Sequence, residues 1–310
     1  MSLRILILGG SGMLGHKLLI GLRAAGHDVS CTLKESQRSP LSRLPIFTGP
    51  KTFWDIDVLD WPSLRALLRT HQPQVVINAV GIIKQRQLAT SAIPSIQINA
   101  LLPHQLAETL AAWNGRLIHF STDCVFSGDR GHYTEADNCD ADDLYGRSKF
   151  LGEITGATNA VTLRSSIIGR ELHHHQSLLD WFLSNHHKAV NGFTRVIYSG
   201  LTTNEFVHVV DKVVTRHPGL SGLYQVASEP LSKHDLLRLI AEAFRLDVRI
   251  TPVDQPFSDR SFSGAKFTAA TGYVAPAWPA LVAALASDDT PYGEWLDRIR
   301  ETTHDPRPPL

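Results

Sequence analysis

Tyr145 and Lys149 stand four residues apart in a run, Tyr-Gly-Arg-Ser-Lys, that reads as helix. Residues four apart on a helix share one face. A free phenol titrates near ~10, too high for easy proton exchange at neutrality. A lysine charge held beside it favours the phenolate and lowers that value. The spacing therefore predicts a tyrosine that can exchange a proton with a substrate oxygen. Tyr-x-x-x-Lys is also common by chance, usually as a solvated helix face. Its context makes it specific here, because a glycine-rich turn and a strand ending in Ser121-Thr122 precede it.

The glycine-rich turn is Gly9-Gly10-Ser11-Gly12-Met13-Leu14-Gly15, placed between an apolar run and a helical pattern. Glycines permit a tight turn and let the backbone approach a pyrophosphate, which sits on the helix N-terminus. Gly9, Ser11, Gly12, Met13, Leu14 and Gly15 are the expected dinucleotide contacts; the bland alternative is a tight turn with no ligand. At the end of the second strand an acid suits NAD and a basic group suits NADP. Here the strand ends Cys31-Thr32-Leu33-Lys34, Arg38 and Arg43 follow, and Glu35 lies close. NADP is the expected preference, with Lys34 and Arg38 toward its extra phosphate and NAD as the second choice. A solvated basic loop is the competing reading. Asp57 and Val58 are expected near the adenine, and Asn78-Ala79-Val80-Gly81 beside the cofactor.

These residues need elements to hold them. Strand-like segments over 3–8, 28–33, 74–80, 116–120 and 160–164 alternate with helical ones over 13–25, 61–70, 93–113 and 144–154. That alternation predicts an α/β fold, a doubly wound parallel sheet. Beyond about residue 169 it breaks down. Helices are expected over 177–187, 206–215, 233–245 and 292–301, and Thr202 to Glu205 reads as a capping box. A strand over 222–227 is expected to rejoin the sheet, 252–279 reads as loop-rich, and the proline-bearing tail as frayed. The expected division is a nucleotide-binding domain over 1–170, with returning segments near 200–228, and a mainly substrate-binding domain over 171–310.

Composition narrows the function classes. The chain has 310 residues, 43% of them hydrophobic, and equal counts of 30 basic and 30 acidic side chains. Zero net charge argues against nucleic acid or anionic membrane as partner. Three cysteines, Cys31, Cys124 and Cys139, form no Cys-x-x-Cys pair and point to a reducing compartment. No apolar run approaches the ~18 residues of a membrane span, and the run at 5–8 reads as a strand rather than a leader. The cytoplasm is the expected location.

The motifs taken together resemble the extended short-chain dehydrogenase/reductases, and within them the dTDP-4-dehydrorhamnose reductase group. The resemblance rests on Gly9 to Gly15, Asn78 to Gly81, Ser121-Thr122-Asp123-Cys124-Val125-Phe126-Ser127-Gly128, Tyr145 to Lys149, Leu151-Gly152-Glu153 and Thr162-Leu163-Arg164. It covers roughly the first ~170 residues in the order of a nucleotide-binding fold. A looser match follows through Asp259-Arg260-Ser261 and the 200–205 turn. It implies that Tyr145 protonates a carbonyl oxygen as hydride arrives from a nicotinamide cofactor. Lys149 would hold the nicotinamide ribose, and Thr122 would hydrogen-bond the same oxygen. Ser121 should face the other way if the strand persists. Asn99 would be structural, in the helix beneath the site.

Related nucleotide-sugar 4,6-dehydratases carry Asp-Glu after this threonine. Here Asp123 is followed by Cys124, which disfavours water elimination and favours carbonyl reduction. Cys124 reads as a packing residue. Asp123, Arg164 and Arg260 are assigned to the substrate side, where a diphosphate wants an arginine fork; either arginine could instead be a structural ion pair. Trp181, Phe182 and Phe193 could wall the substrate or belong to the core. His173-His174-His175 with His186-His187 reads as a solvated or subunit-contact surface rather than a metal site. The expected substrate is a nucleotide-linked 4-keto-6-deoxysugar. Two rivals stand beside it: a nucleotide-sugar epimerase, and a non-catalytic NADP-binding regulatory subunit like the β-subunit of methionine adenosyltransferase. The resemblance also admits a homodimer, with no interface legible in the sequence.

Overall fold

Parity along the strands builds the centre of the molecule. In β1 (Arg4–Leu8), Ile5 and Ile7 enter one apolar cluster and Leu6 and Leu8 another. Successive side chains of a strand point to opposite faces, so a strand covered on both sides must be apolar throughout. β4 (Val75–Asn78) splits the same way, Val75 and Ile77 against Val76, and so does β5 (Arg116–Ser121), Ile118 and Phe120 against Leu117. Each fully buried aliphatic side chain contributes about 1.5–3 kcal/mol. The structure, a computed structural model, describes residues 2–82, 91–173 and 176–300.

With β2 (Asp28–Thr32), β3 (Thr52–Phe53), β6 (Ala160–Arg164) and β11 (Gly222–Gln225), these strands form one parallel sheet of seven, ordered β11-β6-β5-β4-β1-β2-β3. This is the doubly wound α/β arrangement the alternation predicts, and β11 is the strand expected to return from near 222. The chain moves outward from β1 through β2 and β3, then restarts at β4 on the other side. Between β1 and β4, at the carboxyl edge, lies the crevice where open α/β sheets bind ligands.

Helices cover both faces. α1 (Met13–Ala24) lies against α7 (Thr203–Arg216) so closely that a Cβ on Gly21 would stand 2.4 Å from Val207 Cγ1. α2 (Trp61–His71) starts with Pro62 in its first turn and Asp60 as N-cap. The helix expected over 93–113 is three pieces: α3 (Ala92–Ser95), a π-helical stretch (Ile96–Leu101) and α4 (Leu102–Ala111). The wider turn precedes Pro103, which lacks the amide that an uninterrupted helix would use. α5 (Leu144–Leu151) ends sooner than the sequence suggests, at Gly152.

The later part is richer in structure than its sequence pattern implies. β7 (Ile167–Ile168) pairs with β10 (Leu201–Thr202), and β8 (Ala189–Phe193) with β13 (Arg249–Val253). β9 (Val196–Tyr198) lies between β12 (Leu231–Ser232) and β14 (Ser258–Asp259). α6 (Leu178–Leu183) is shorter than the span expected over 177–187, and α8 (Lys233–Ala243) has Leu236, Leu237 and Ile240 buried, as its pattern predicts. The stretch 252–279, expected to be loop-rich, contains α9 (Ala265–Thr271) and β14 and runs into α10 (Trp278–Ala286); α11 (Tyr292–Arg300) follows. Two- and three-residue strands exist only through their partners, so no local periodicity announces them. Half of the expected capping box forms: Thr202 Oγ1 accepts from the Glu205 amide at 3.2 Å, while the Glu205 carboxylate takes the Tyr273 hydroxyl. Among the described residues no helix is long and apolar enough to cross a membrane. The proline-bearing tail lies outside the described residues.

Candidate active site

The glycine turn closes as its spacing requires. Gly9 has φ +82°, the Gly10 amide donates to Thr32 O at 2.9 Å, and the Gly12 amide to Gly9 O at 3.1 Å. A Cβ on Gly15 would lie 2.0 Å from Gly9 O, so the first helical turn and the loop touch backbone to backbone. Gly12 is the N-cap of α1 and supplies no side-chain bond, which leaves amides of the first turn open to a ligand. Such a turn suits a pyrophosphate in charge and shape. Val80 reaches the same place: a Cβ on Gly9 would meet Val80 Cγ2 at 2.9 Å. Asn78 shapes this second loop, Oδ1 accepting the Val80 amide at 3.2 Å, and is itself buried against His119. Thus Gly9 to Gly15 and Asn78 to Gly81 converge at the switch point.

The loop after β2 departs from expectation in one respect. Ser11 Oγ donates to both oxygens of Glu35, at 3.0 and 3.1 Å, and His173 Nε2 lies 3.4 Å from that carboxylate. Burial raises the Glu35 carboxyl, but His173 and Ser11 outweigh it and hold the group below its ordinary value. Glu35 is the acid of this region, and it faces the glycine turn. Lys34 pairs instead with Asp57 at 2.9 Å, with 70% of its side chain exposed. Arg38 is exposed on the same loop. Asp57 also accepts the Leu59 amide at 3.0 Å, and Val58 packs at the edge of the core.

Thr122 follows the last residue of β5 and caps a short turn (Asp123–Val125). Its hydroxyl accepts from the Cys124 amide at 3.2 Å and donates to Asp123 Oδ1 at 3.0 Å. Tyr145, in the first turn of α5, brings its phenol to the same hydroxyl. Gly146 permits this, because a Cβ there would stand 2.2 Å from Cys124 O. That glycine carries a role that the Tyr-x-x-x-Lys reading passed over. Asp143 starts the helix, accepting the Gly146 amide at 2.7 Å.

The electrostatics correct one expectation. Lys149 is buried and gives its ammonium to Phe120 O at 2.6 Å; it is not among the groups that shift Tyr145. Burial, followed by the Cys124 thiol, pushes the phenol above its ordinary value, and the bond with Thr122 offsets part of that. Burial likewise lowers Lys149 to about 8. The phenol is therefore protonated at neutrality, an acid rather than a base. The Cys124 thiol is pushed up to about 12 by burial and then by Asp123, which suits packing and not nucleophilic attack.

Ser121 does turn away from Thr122. Its hydroxyl donates to Glu153 Oε1 at 2.6 Å, and Glu153 holds Arg164 at 2.6 Å through Nη2 and at 2.9 Å through Nε. Arg164 is 1% exposed and lies over the Phe126 ring. The structure thus places Arg164 in a buried ion pair beneath the sheet edge, where Glu153 already neutralises its charge, and not as a fork for a diphosphate. Arg260 differs. It donates to Phe126 O at 2.9 Å and Ser127 O at 3.1 Å, neutral acceptors on the loop that follows Thr122. Asn99 is structural, tying Ile82 on both backbone atoms and Ser148 Oγ across to α5.

Of the aromatic residues, Phe182 is core and Trp181 is 39% exposed. His186 and His187 contact Asp247, and His174 and His175 lie outside the described residues. Among the described residues no three His, Cys, Asp or Glu side chains gather as metal ligands. A groove of about 720 Å³ beside α8, lined by His234, Asp235, Arg238 and Glu242 among apolar side chains, holds none of the residues above.

Strand order and the glycine turn at its switch point make this a Rossmann-type α/β protein. More narrowly, the chain belongs to the RmlD substrate binding domain family, whose match covers residues 3–263. It is similar to methionine adenosyltransferase 2 subunit beta of Mus musculus, 28% identical over 153 residues, 49% of this chain and 42% of that protein. It is also similar to dTDP-4-dehydrorhamnose reductase of Aggregatibacter actinomycetemcomitans, 25% identical over 188 residues, 57% of this chain and 63% of that protein. The chain spans about half the length of the curated relatives it matches. The crystal structure of dTDP-4-dehydrorhamnose reductase from Bacillus anthracis in complex with NADP shares the fold, with TM-score 0.77 and 19% identity over 92% of this chain and 99% of that one.

Proposed function

We propose that the protein is a nicotinamide-dependent reductase of a nucleotide-linked 4-keto-6-deoxysugar, on the pattern of the short-chain dehydrogenase/reductases. One observation carries the reading: a protonated Tyr145 phenol meets the Thr122 hydroxyl at the carboxyl edge of β5, the edge that also bears the glycine turn. Bound there, the reduced nicotinamide supplies hydride. Thr122 and Tyr145 hydrogen-bond the carbonyl oxygen, and Tyr145 delivers the proton as negative charge develops on it. Lys149, at the floor of the site, holds the nicotinamide ribose while anchored on Phe120 O. Arg260 faces the diphosphate, its guanidinium bonded among the described residues to the carbonyls of Phe126 and Ser127. Asp123 orients Thr122 from the substrate side.

NADP is the proposed preference, supported by the exposed Lys34 and Arg38. Glu35 supports the second choice, NAD, because a carboxylate against the glycine turn suits a ribose hydroxyl better than a phosphate. Comparing NADPH and NADH in wild type and Glu35→Ala decides between them. The three free cysteines fit a reducing compartment, so the proposed location is the cytoplasm.

The deciding experiment follows loss of reduced-nicotinamide absorbance over dTDP-, UDP- and GDP-linked 4-keto-6-deoxysugars. Turnover on one of them, lost in Tyr145→Phe, is expected. The similarity to a methionine adenosyltransferase subunit favours a second reading, a cofactor-binding regulatory subunit. A partner-dependent effect that survives Tyr145→Phe would support that reading; NAD carried tightly through purification would point to an epimerase.

A further inference from the structure

Tyr198 carries a buried hydroxyl with no hydrogen-bond partner among the described residues. A buried polar group left unpaired is costly, so such a group calls for a partner beyond the protein's own side chains, an ordered water or a bound ligand. Its ring is fixed, tilted 50° against Trp278 at 5.6 Å, and Trp278 is anchored by its indole N–H on Glu229 O at 2.7 Å. Tyr198 ends β9, where Leu231 of β12 is its register partner and Ile197 faces Asp259 of β14.

That small sheet is fastened to the loop leaving the catalytic threonine. The Asp259 amide donates to Gly128 O at 2.7 Å, Arg260 holds Phe126 O and Ser127 O, and the Phe262 amide donates to Ser199 Oγ at 3.2 Å. The fastening puts Tyr198 within electrostatic reach of Asp123 and Cys124, the two residues that follow Thr122. Burial and then these two neighbours hold the phenolic proton on. The hydroxyl can therefore donate and accept at neutrality, as a sugar hydroxyl requires.

We propose that Tyr198 is a substrate-contacting residue whose hydroxyl completes its hydrogen bonds on a ring hydroxyl of the ketosugar, beside the carbonyl served by Thr122 and Tyr145. The inference rests on the reductase reading and adds a specificity-determining group from the C-terminal part of the chain.

Tyr198→Phe removes one oxygen and keeps the ring, so it separates contact from scaffold. On the ketosugar nucleotide that wild type reduces, KM should rise about tenfold, the worth of one hydrogen bond, with kcat changed little. The melting temperature should stay level or rise, because the lost hydroxyl had no partner to leave behind. A ketosugar nucleotide lacking the contacted ring hydroxyl should show no difference between variant and wild type. Unchanged KM on every substrate, or a lowered melting temperature with a matching loss of activity, overturns the inference while leaving the reductase reading intact. Wild-type silence in turnover, together with no calorimetric binding of the same nucleotide sugars in the presence of NADP or NAD, overturns both.

Discussion

Thr122 serves three partners: it caps its own turn through the Cys124 amide, donates to Asp123 and meets the Tyr145 phenol. A substrate oxygen entering there competes for a hydroxyl already in position, which favours binding by exchange rather than by rearrangement. Tyr145→Phe should cut kcat by about 10²–10⁴-fold while dinucleotide binding, read by fluorescence titration, is retained. The pH dependence follows from Lys149. Its pKa is depressed to about 8, so its charge is present below that pH and lost as pH rises through it. Tyr145 is raised, so its proton is still bound over the same range. kcat/KM is therefore expected to hold at neutrality and fall above about 8 as the ammonium proposed to grip the ribose loses its charge; a profile flat to well beyond pH ~9 would remove Lys149 from that role.

At the scale of elements, two close approaches define the site, and glycine makes both. Gly15 lets α1 lie on the turn, and Gly146 lets α5 lie on the turn after Thr122. Gly15→Ala should abolish dinucleotide binding and cost about 1–3 kcal/mol, since the clash is with backbone and not with a movable side chain. Gly293 in α11 is the control: a Cβ there meets nothing within 4 Å, and alanine should stabilise by about 0.5–1 kcal/mol. Denaturant titration measures both. The Arg164–Glu153 pair tests another assignment at this scale. With side chains 1% and 2% exposed, Arg164→Met leaves a buried carboxylate unpaired, and a loss of about 3–5 kcal/mol is expected. An unchanged melting temperature with a raised KM would instead return Arg164 to the substrate.

For the whole molecule, the contacts that close the N-terminal sheet against the C-terminal helices are partly polar and buried. His16 on α1 reaches Gly12 O at 2.8 Å and the Tyr292 hydroxyl of α11 at 2.9 Å, and Lys17 pairs with Asp288 at 2.7 Å. Burial lowers His16 to about 4. Between that value and the unfolded one near ~6.5, the unfolded chain binds a proton that the native chain refuses. Stability should fall as pH drops through this window, by on the order of 3 kcal/mol. Chemical denaturation at neutral and mildly acidic pH should show a smaller decline in His16→Gln than in wild type; parallel declines would locate the sensitivity elsewhere.

What was legible before folding was whatever is encoded locally. The parity of Ile5 to Leu8, the spacing of Gly9 to Gly15, the opposite facing of Ser121 and Thr122, and the cap at Thr202 all arise from backbone geometry over a few residues. They were enough for the fold class; the proposed Thr122–Tyr145–Lys149 set drew on the four-residue spacing of Tyr145 and Lys149 and on the family resemblance. Tertiary structure decided the rest: that Lys149 turns to Phe120 O, that Glu35 and not Lys34 faces the glycine turn, that Arg164 is spent on Glu153, and that Tyr198 comes within electrostatic range of Asp123. Charge pairing and desolvation depend on which segments meet in space, and the strands β8, β9, β13 and β14 exist only through distant partners. No periodicity along the chain records those meetings, because the energy that selects them appears only when the surfaces are buried together.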